Sequence, residues 1–133
     1  QFCSVFVIKK RLFVEQHEYV GGPRCGIFPP KELSMVVSSI ELGREIELAL
    51  GAYHDSGRVI YADEWERLNQ QLLNFIDEKS VKAFERKKKG VTIRREVETG
   101  LVALFGTKGR ACGELDNPTT EKIGEVVKEI LRL

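Results

Sequence analysis

A few short groupings in this 133-residue chain carry side chains that could take part in a reaction. Cysteines stand at Cys3, Cys25 and Cys112 and histidines at His17 and His54, and a thiol beside an imidazole is the pattern of an activated nucleophile. Nothing local couples any of these cysteines to a histidine. His54 is followed by Asp55, and a carboxylate can fix the tautomer of an imidazole that then serves as a base. Adjacent residues rarely point the same way, so His54 reads better as a turn histidine with a local hydrogen bond. Carboxylates pair as Asp63-Glu64 and Asp77-Glu78, at helix ends, where capping explains the first pair and solvation the second. The run "ERKKKGVTIRR" could neutralise phosphates without reading sequence. Its one nearby aromatic, Phe84, offers no stacking platform for bases.

Motifs that would raise these groupings to an active site are missing. There is no GxGxxG, no phosphate loop of the GxxxxGK type, no HExxH and no GxSxG. The cysteines are odd in number, widely spaced and form no CxxC, and the histidines stand alone, so no zinc set is assembled. Each cysteine reads as a small buried thiol, a usage that fits a reducing cytoplasm. We therefore expect a non-enzymatic protein with no catalytic residue, no cofactor and no metal.

Apolar residues make up 42% and charged residues 31%, a balance ordinary for a globular protein, and 133 residues suffice for one domain with its own core. No apolar run approaches the ~20 residues that cross a membrane. No stretch reads as a signal peptide, and the absence of an initiator methionine leaves room for residues ahead of Gln1. The net charge of +1 conceals a division. Residues 41 to 78 hold nine acids against three arginines, and residues 79 to 95 hold eight bases against Glu85. Two solvated faces that partly neutralise each other explain this. An acidic surface offered to a basic partner explains it too, because such patches steer association.

Periodicity supplies the elements. "FCSVFVIKKRLFVEQHEYV" suits one or two strands, and "GGPRCGIFPP" must be a loop. "ELSMVVSS" leads from a short strand into a helix that Ser38 caps and Glu41 completes as a capping box, ending near Gly51. "GAYHDSGRVIYA" reads as a connection. The next helix takes Asp63 as its cap with Glu66 reaching back, and aligns Trp65, Leu68, Leu72, Phe75 and Ile76 in one stripe. "SVKAFERKKKG" makes a short helix ending at Gly90. "VTIRREVE" alternates Val91, Ile93, Arg95 and Val97 against Thr92, Arg94, Glu96 and Glu98, a strand with one wet face. "LVALFG" and "RACGEL" complete a three-strand antiparallel meander. Asn117 or Thr119 opens the last helix, with Pro118 in its first turn. The expected class is α+β: one domain over residues 1–133, an antiparallel or mixed sheet and about four helices.

Two of those helices share a phrase. In "LGREIELAL" Leu42, Gly43, Ile46, Ala49 and Leu50 match Ile123, Gly124, Val127, Ile130 and Leu131 of "IGEVVKEIL". Each early glycine lies beside an apolar stripe, where a missing side chain lets another backbone approach. Glycine costs a helix about 1 kcal/mol relative to alanine, and close packing is the natural compensation.

These paired phrases, the central "W…L", "KSVKAFERKKKGVTI" and the closing "NPTTEKIGEVVKEIL" resemble the CdiI group, the immunity proteins of bacterial contact-dependent growth inhibition systems. The resemblance runs from about Gly26 to the C-terminus. It implies a cytoplasmic antitoxin that binds one cognate toxin C-terminal domain 1:1 and occludes its active site. It further implies a toxin that cleaves RNA and whose site is therefore basic. Charge and position then single out Asp55, Asp63, Glu64 and Glu66 as toxin-binding carboxylates, with Tyr53 and Tyr61 as aromatic anchors. Two scaffold helices flanking one sheet, with the surface between them free to vary, would account for the repeat. A small nucleic-acid-binding protein using residues 79–95 is the alternative. The resemblance itself gives no role to direct nucleic-acid or membrane contact.

Overall fold

A computed structural model describes residues 1–133. Its elements are β1 (Phe2–Ile8), β2 (Arg11–Tyr19), β3 (Arg24–Gly26), β4 (Lys31–Leu33), α1 (Ser39–Gly51), β5 (His54–Asp55), α2 (Ala62–Ile76), α3 (Val81–Lys87), β6 (Lys89–Arg95), β7 (Leu101–Phe105), β8 (Ala111–Asp116) and α4 (Thr120–Leu131). The strands form one open sheet in the order β3-β2-β1-β6-β7-β8, with β4 and β5 also paired to β2. All pairings are antiparallel except β2–β5. The class is α+β, as the periodicity predicts, and no helix is long and apolar enough to cross a membrane.

Alternation assigns the two faces of the sheet. Cys3 and Val5 on β1, Leu12 and Val14 on β2, Val91 and Ile93 on β6, and Val102 and Leu104 on β7 point one way. They form the main core with Leu42, Ile46 and Leu50 of α1 and Ile123, Val127 and Leu131 of α4. Phe6, Ile8 and Phe13 point the other way and meet Leu73 and Ile76 of α2 and Phe84 of α3. A third cluster, Val20, Cys25 and Ile60, is closed by Trp65 and Leu68.

The repeated phrase receives a structural explanation here. Both helices lie on the same face of the sheet and cross at their glycines. A Cβ built on Gly43 would sit 1.9 Å from the Thr120 carbonyl oxygen, and one on Gly124 would sit 1.8 Å from that of Ser39. Each glycine thus admits the first turn of the other helix. The surface expected between the two helices is consequently closed by backbone contact.

Local signals hold at some ends and shift at others. Ser38 accepts from the Glu41 N–H at 3.2 Å and Thr119 from the Lys122 N–H at 3.2 Å, so both helices of the repeat start at hydroxyl caps. Pro118 therefore precedes the cap instead of occupying the first turn. α2 begins two residues earlier than expected: Tyr61 is its cap position and makes no side-chain bond, which leaves Asp63 inside the first turn. There the carboxylate still faces the positive end of the helix dipole. The deepest side chains of α2 are Leu73 and Ile76, and Phe75 stays partly exposed at the rim. Gly90 does not stop α3. It is part of β6, packed over Phe6. β6 itself ends at Arg95, and Val97 stands exposed in the turn to β7. The 21–30 loop contains β3, and the 51–62 connection contains β5, because the last residues of β2 offer backbone groups to both. Cys3 and Cys25 are buried as expected, but Cys112 lies exposed on β8.

Candidate functional site

The proposed partner-binding residues fall on one continuous segment that wraps the end of β2. β5 sets His54 and Asp55 beside Glu18 and Tyr19, and the Ser56 N–H and hydroxyl both donate to the Tyr19 carbonyl, at 3.0 and 3.1 Å. Asp55 accepts from the Gly57 N–H at 2.9 Å, an Asx turn that Gly57 closes with its positive φ of 70°. His54 lies near the Ala52 carbonyl through Nδ1 at 3.0 Å, the local bond expected of it, and reaches Glu18 through Nε2 at 3.4 Å.

Arg58 organises the charges of this segment. Its guanidinium donates to Glu64 at 2.6 Å and to Glu18 at 3.0 Å, and both carboxylates raise its pKa. Glu64 therefore presents a neutralised charge. Asp55, Asp63 and Glu66 are exposed and carry no ion pair. Tyr61 is 72% exposed beside them, whereas Tyr53 is half-buried with its ring edge against Phe2, centroids 5.5 Å apart. Three carboxylates and one aromatic of this segment thus face solvent, and the other two predicted residues, Tyr53 and Glu64, are held by Phe2 and Arg58.

The reactive groups do not converge. Burial pushes the Cys3 thiol up to about 12 and raises that of Cys25, which favours the protonated, less nucleophilic form of both. Cys25 donates to the Gly26 carbonyl, and the His17 ring lies 3.2 Å from Glu15. No Cys–His pair is formed by these contacts.

The charge division is spatial only in part, since Glu78 lies among the lysines and Arg94 and Arg95 lie at the opposite end beside Phe2 and Gln1. Strand register brings Lys9 and Lys10, Lys87 to Lys89, and Lys108 and Arg110 to one end of the sheet, because Val7 pairs with Lys89 and Thr92 with Phe105. The 53–66 segment occupies the other end, where β2 finishes. Within the basic end Glu78, only 2% exposed in its side chain, accepts from Lys87 at 2.8 Å and pairs with Lys9 at 3.1 Å. These two lysines hold its carboxyl down to about 2.

Sequence reasoning missed a second surface. Beside α2 and α3 the far face of the sheet stays open, and a groove of about 360 Å³ runs between these helices, the sheet and the 106–109 turn. Ser4 and Thr92 form its floor, their hydroxyls 3.4 Å apart, and Leu68, Leu72, Glu15, Lys88 and Lys108 stand around it. The alternation of "VTIRR" does put Thr92 and Arg94 on a wet face. It carries no sign that neighbouring strands leave that face uncovered.

No protein-family model and no curated protein matches this chain. Among solved structures, the Protein of Unknown Function NMB0488 from Neisseria meningitidis superposes with a TM-score of 0.70 at 15% identity, over 98% of this chain and 93% of that one. A chain of the CdiA-CT/CdiI toxin and immunity complex from Yersinia pseudotuberculosis superposes with a TM-score of 0.60 at 13% identity, over 98% and 92%. The fold is shared with a toxin–immunity complex. At these identities the likeness is one of architecture, extending over nearly the full length of both chains.

Proposed function

We propose that this chain is an immunity protein that binds and neutralises a toxin domain. The observation that carries the reading is the end-to-end likeness of fold to a chain of a toxin and immunity complex. The toxin of this reading has a basic, RNA-cleaving site, is held 1:1 in the cytoplasm, and meets the carboxylates of Asp55, Asp63 and Glu66 where RNA phosphates would lie. Tyr61 is the exposed anchor, and Tyr53 and Glu64 support the segment from behind. Co-expression with the polypeptide encoded immediately upstream tests the proposal. An equimolar complex should survive purification through a tag on either chain. A partner that never co-purifies, from either tag, would refute it.

A second reading draws on the basic end of the sheet, where sequence-distant cations converge. It makes the chain a nucleic-acid-binding protein contacting phosphates through residues 79–95. Retention of RNA at low salt that disappears when Lys88 and Lys89 become glutamate would favour it. Lys87 is left unchanged because it is held by the buried Glu78, whereas Lys88 pairs only with the exposed Glu85 and Lys89 with no carboxylate.

A further inference from the structure

We infer that the open face of the sheet is the surface on which the partner polypeptide docks, and that the partner brings a carboxylate to Arg94. This rests on the toxin-inhibitor reading. α1 and α4 cover one face, and on the other side of the sheet α2 with α3 cover the Phe6, Ile8 and Phe13 end while Trp65 and Leu68 of α2 close the Val20, Cys25 and Ile60 cluster. A strip across four strands remains, carrying Phe2, Ser4, Glu15, Thr92, Arg94 and Phe105.

The chemistry of that strip is specific. Arg94 has its Nε buried with no acceptor in the chain, and its nearest carboxylate, Glu96, is 3.9 Å from a terminal nitrogen. Its guanidinium rests 5.5 Å from the centre of the Phe105 ring. Arg24 lies 3.9 Å over Phe2, and Phe2 is the register partner of Arg94. Two cations are thus held against aromatic rings and presented outward. A buried donor lacking an acceptor is costly, and a carboxylate meets a guanidinium with two parallel bonds. His17, with 9% exposure, adds a second unmatched buried nitrogen, Nδ1, on the same face.

The surroundings select a polypeptide over a nucleic acid. Leu68, Leu72 and Trp65 line the groove and suit apolar side chains, while Glu15 and Glu85 offset the charges of Lys88 and Lys108, so the groove offers no net basic track for a phosphate chain. Phe2 also touches Tyr53, so the strip continues into the acidic 53–66 segment. One basic partner bearing a single well-placed acid can span both.

Equilibrium binding to the upstream-encoded domain is the test, with Arg94→Glu, Arg94→Lys and Thr92→Arg compared with wild type. Arg94→Glu should weaken binding about 30-fold or more, since it opposes like charges at a desolvated pair. Arg94→Lys should fall between, because an ammonium cannot make the two-bond contact. Thr92→Arg fills the groove and should weaken binding even if Arg94→Glu fails to fold, with each variant checked by thermal melting. Reversing one acid of the partner should restore binding to Arg94→Glu. If Arg94→Glu and Thr92→Arg fold and bind as wild type does, the inference is overturned while the immunity reading stands. If wild type itself does not bind, both fall. If a fluorescein-labelled single-stranded RNA binds wild type and is lost in Arg94→Glu, the strip belongs to nucleic acid and the polypeptide assignment is wrong.

Discussion

Replacing Gly43 with alanine should destabilise the protein sharply although it adds one methyl group to a good helix position. The new Cβ would lie 1.9 Å from the Thr120 carbonyl oxygen and 2.8 Å from its carbon. Carbon contacts settle near ~3.5–4 Å, so α4 must retreat by more than about 1 Å. The obstacle is backbone and has no alternative rotamer. Overpacking of this kind costs about 1–3 kcal/mol, and a rigid carbonyl puts the site at the upper end. Alanine regains up to about 1 kcal/mol in helix propensity, which leaves a net loss near 2 kcal/mol. With a urea slope of about 1–3 kcal/mol per molar, the midpoint should fall by roughly 1 M. Gly51, in the last turn of the same helix, is the internal control. A Cβ there meets nothing within 4 Å, so Gly51→Ala should leave the midpoint unchanged or raise it. Gly124→Ala should resemble Gly43→Ala, and the double variant should cost less than the two singles together, because one retreat relieves both. Urea unfolding of the four variants decides the matter. A Gly43→Ala midpoint equal to wild type would refute the crossing geometry.

Other consequences follow from the same contacts. The Glu78 carboxyl is lowered in the fold chiefly by its hydrogen bonds to Lys87 and Lys9, so its stabilisation is complete above the ordinary carboxylate range and is lost as pH falls towards about 2. The stability difference between wild type and Glu78→Gln, followed by urea unfolding across pH, should therefore be constant near neutrality and shrink through that acid window. A thiol reagent applied to the native protein should modify Cys112 alone, with Cys3 and Cys25 reacting only after denaturation, as mass spectrometry of peptides will report. Ser38→Ala and Thr119→Ala should each cost about 1 kcal/mol by loss of a cap, whereas Asp63→Ala should cost less, since Asp63 is not the cap of α2.

The helices of the repeat and the C-terminal meander were legible because their determinants are local. Ser38 and Thr119 cap within three residues, and Val91, Ile93, Val102 and Leu104 declare a buried face by alternation alone. Gly43 and Gly124 announced a close approach, though not that each would meet the other helix. Tertiary partners hid the rest. β3 and β5 are too short to carry a period and exist because the end of β2 accepts them. Glu78 read as a solvated helix end because Lys9, 69 positions earlier in the chain, gave no hint of reaching it. Asp63 and Glu66 looked like cap and capping box because their spacing is right, but the helix starts two residues earlier, with Tyr61 at the cap. The open strip was invisible for a different reason. Arg94 sits on a wet face by pattern, but its lack of an internal acceptor depends on Phe105 and Glu96 and on how far α2 and α3 extend.

Titrating the RNA-cleaving activity proposed for the upstream-encoded domain with this protein is the most direct measurement of the central claim. The account predicts that activity falls linearly and vanishes at one equivalent, and that raising salt weakens the inhibition as contacts to Asp55, Asp63 and Glu66 are screened. Undiminished activity at several equivalents of folded protein would contradict it.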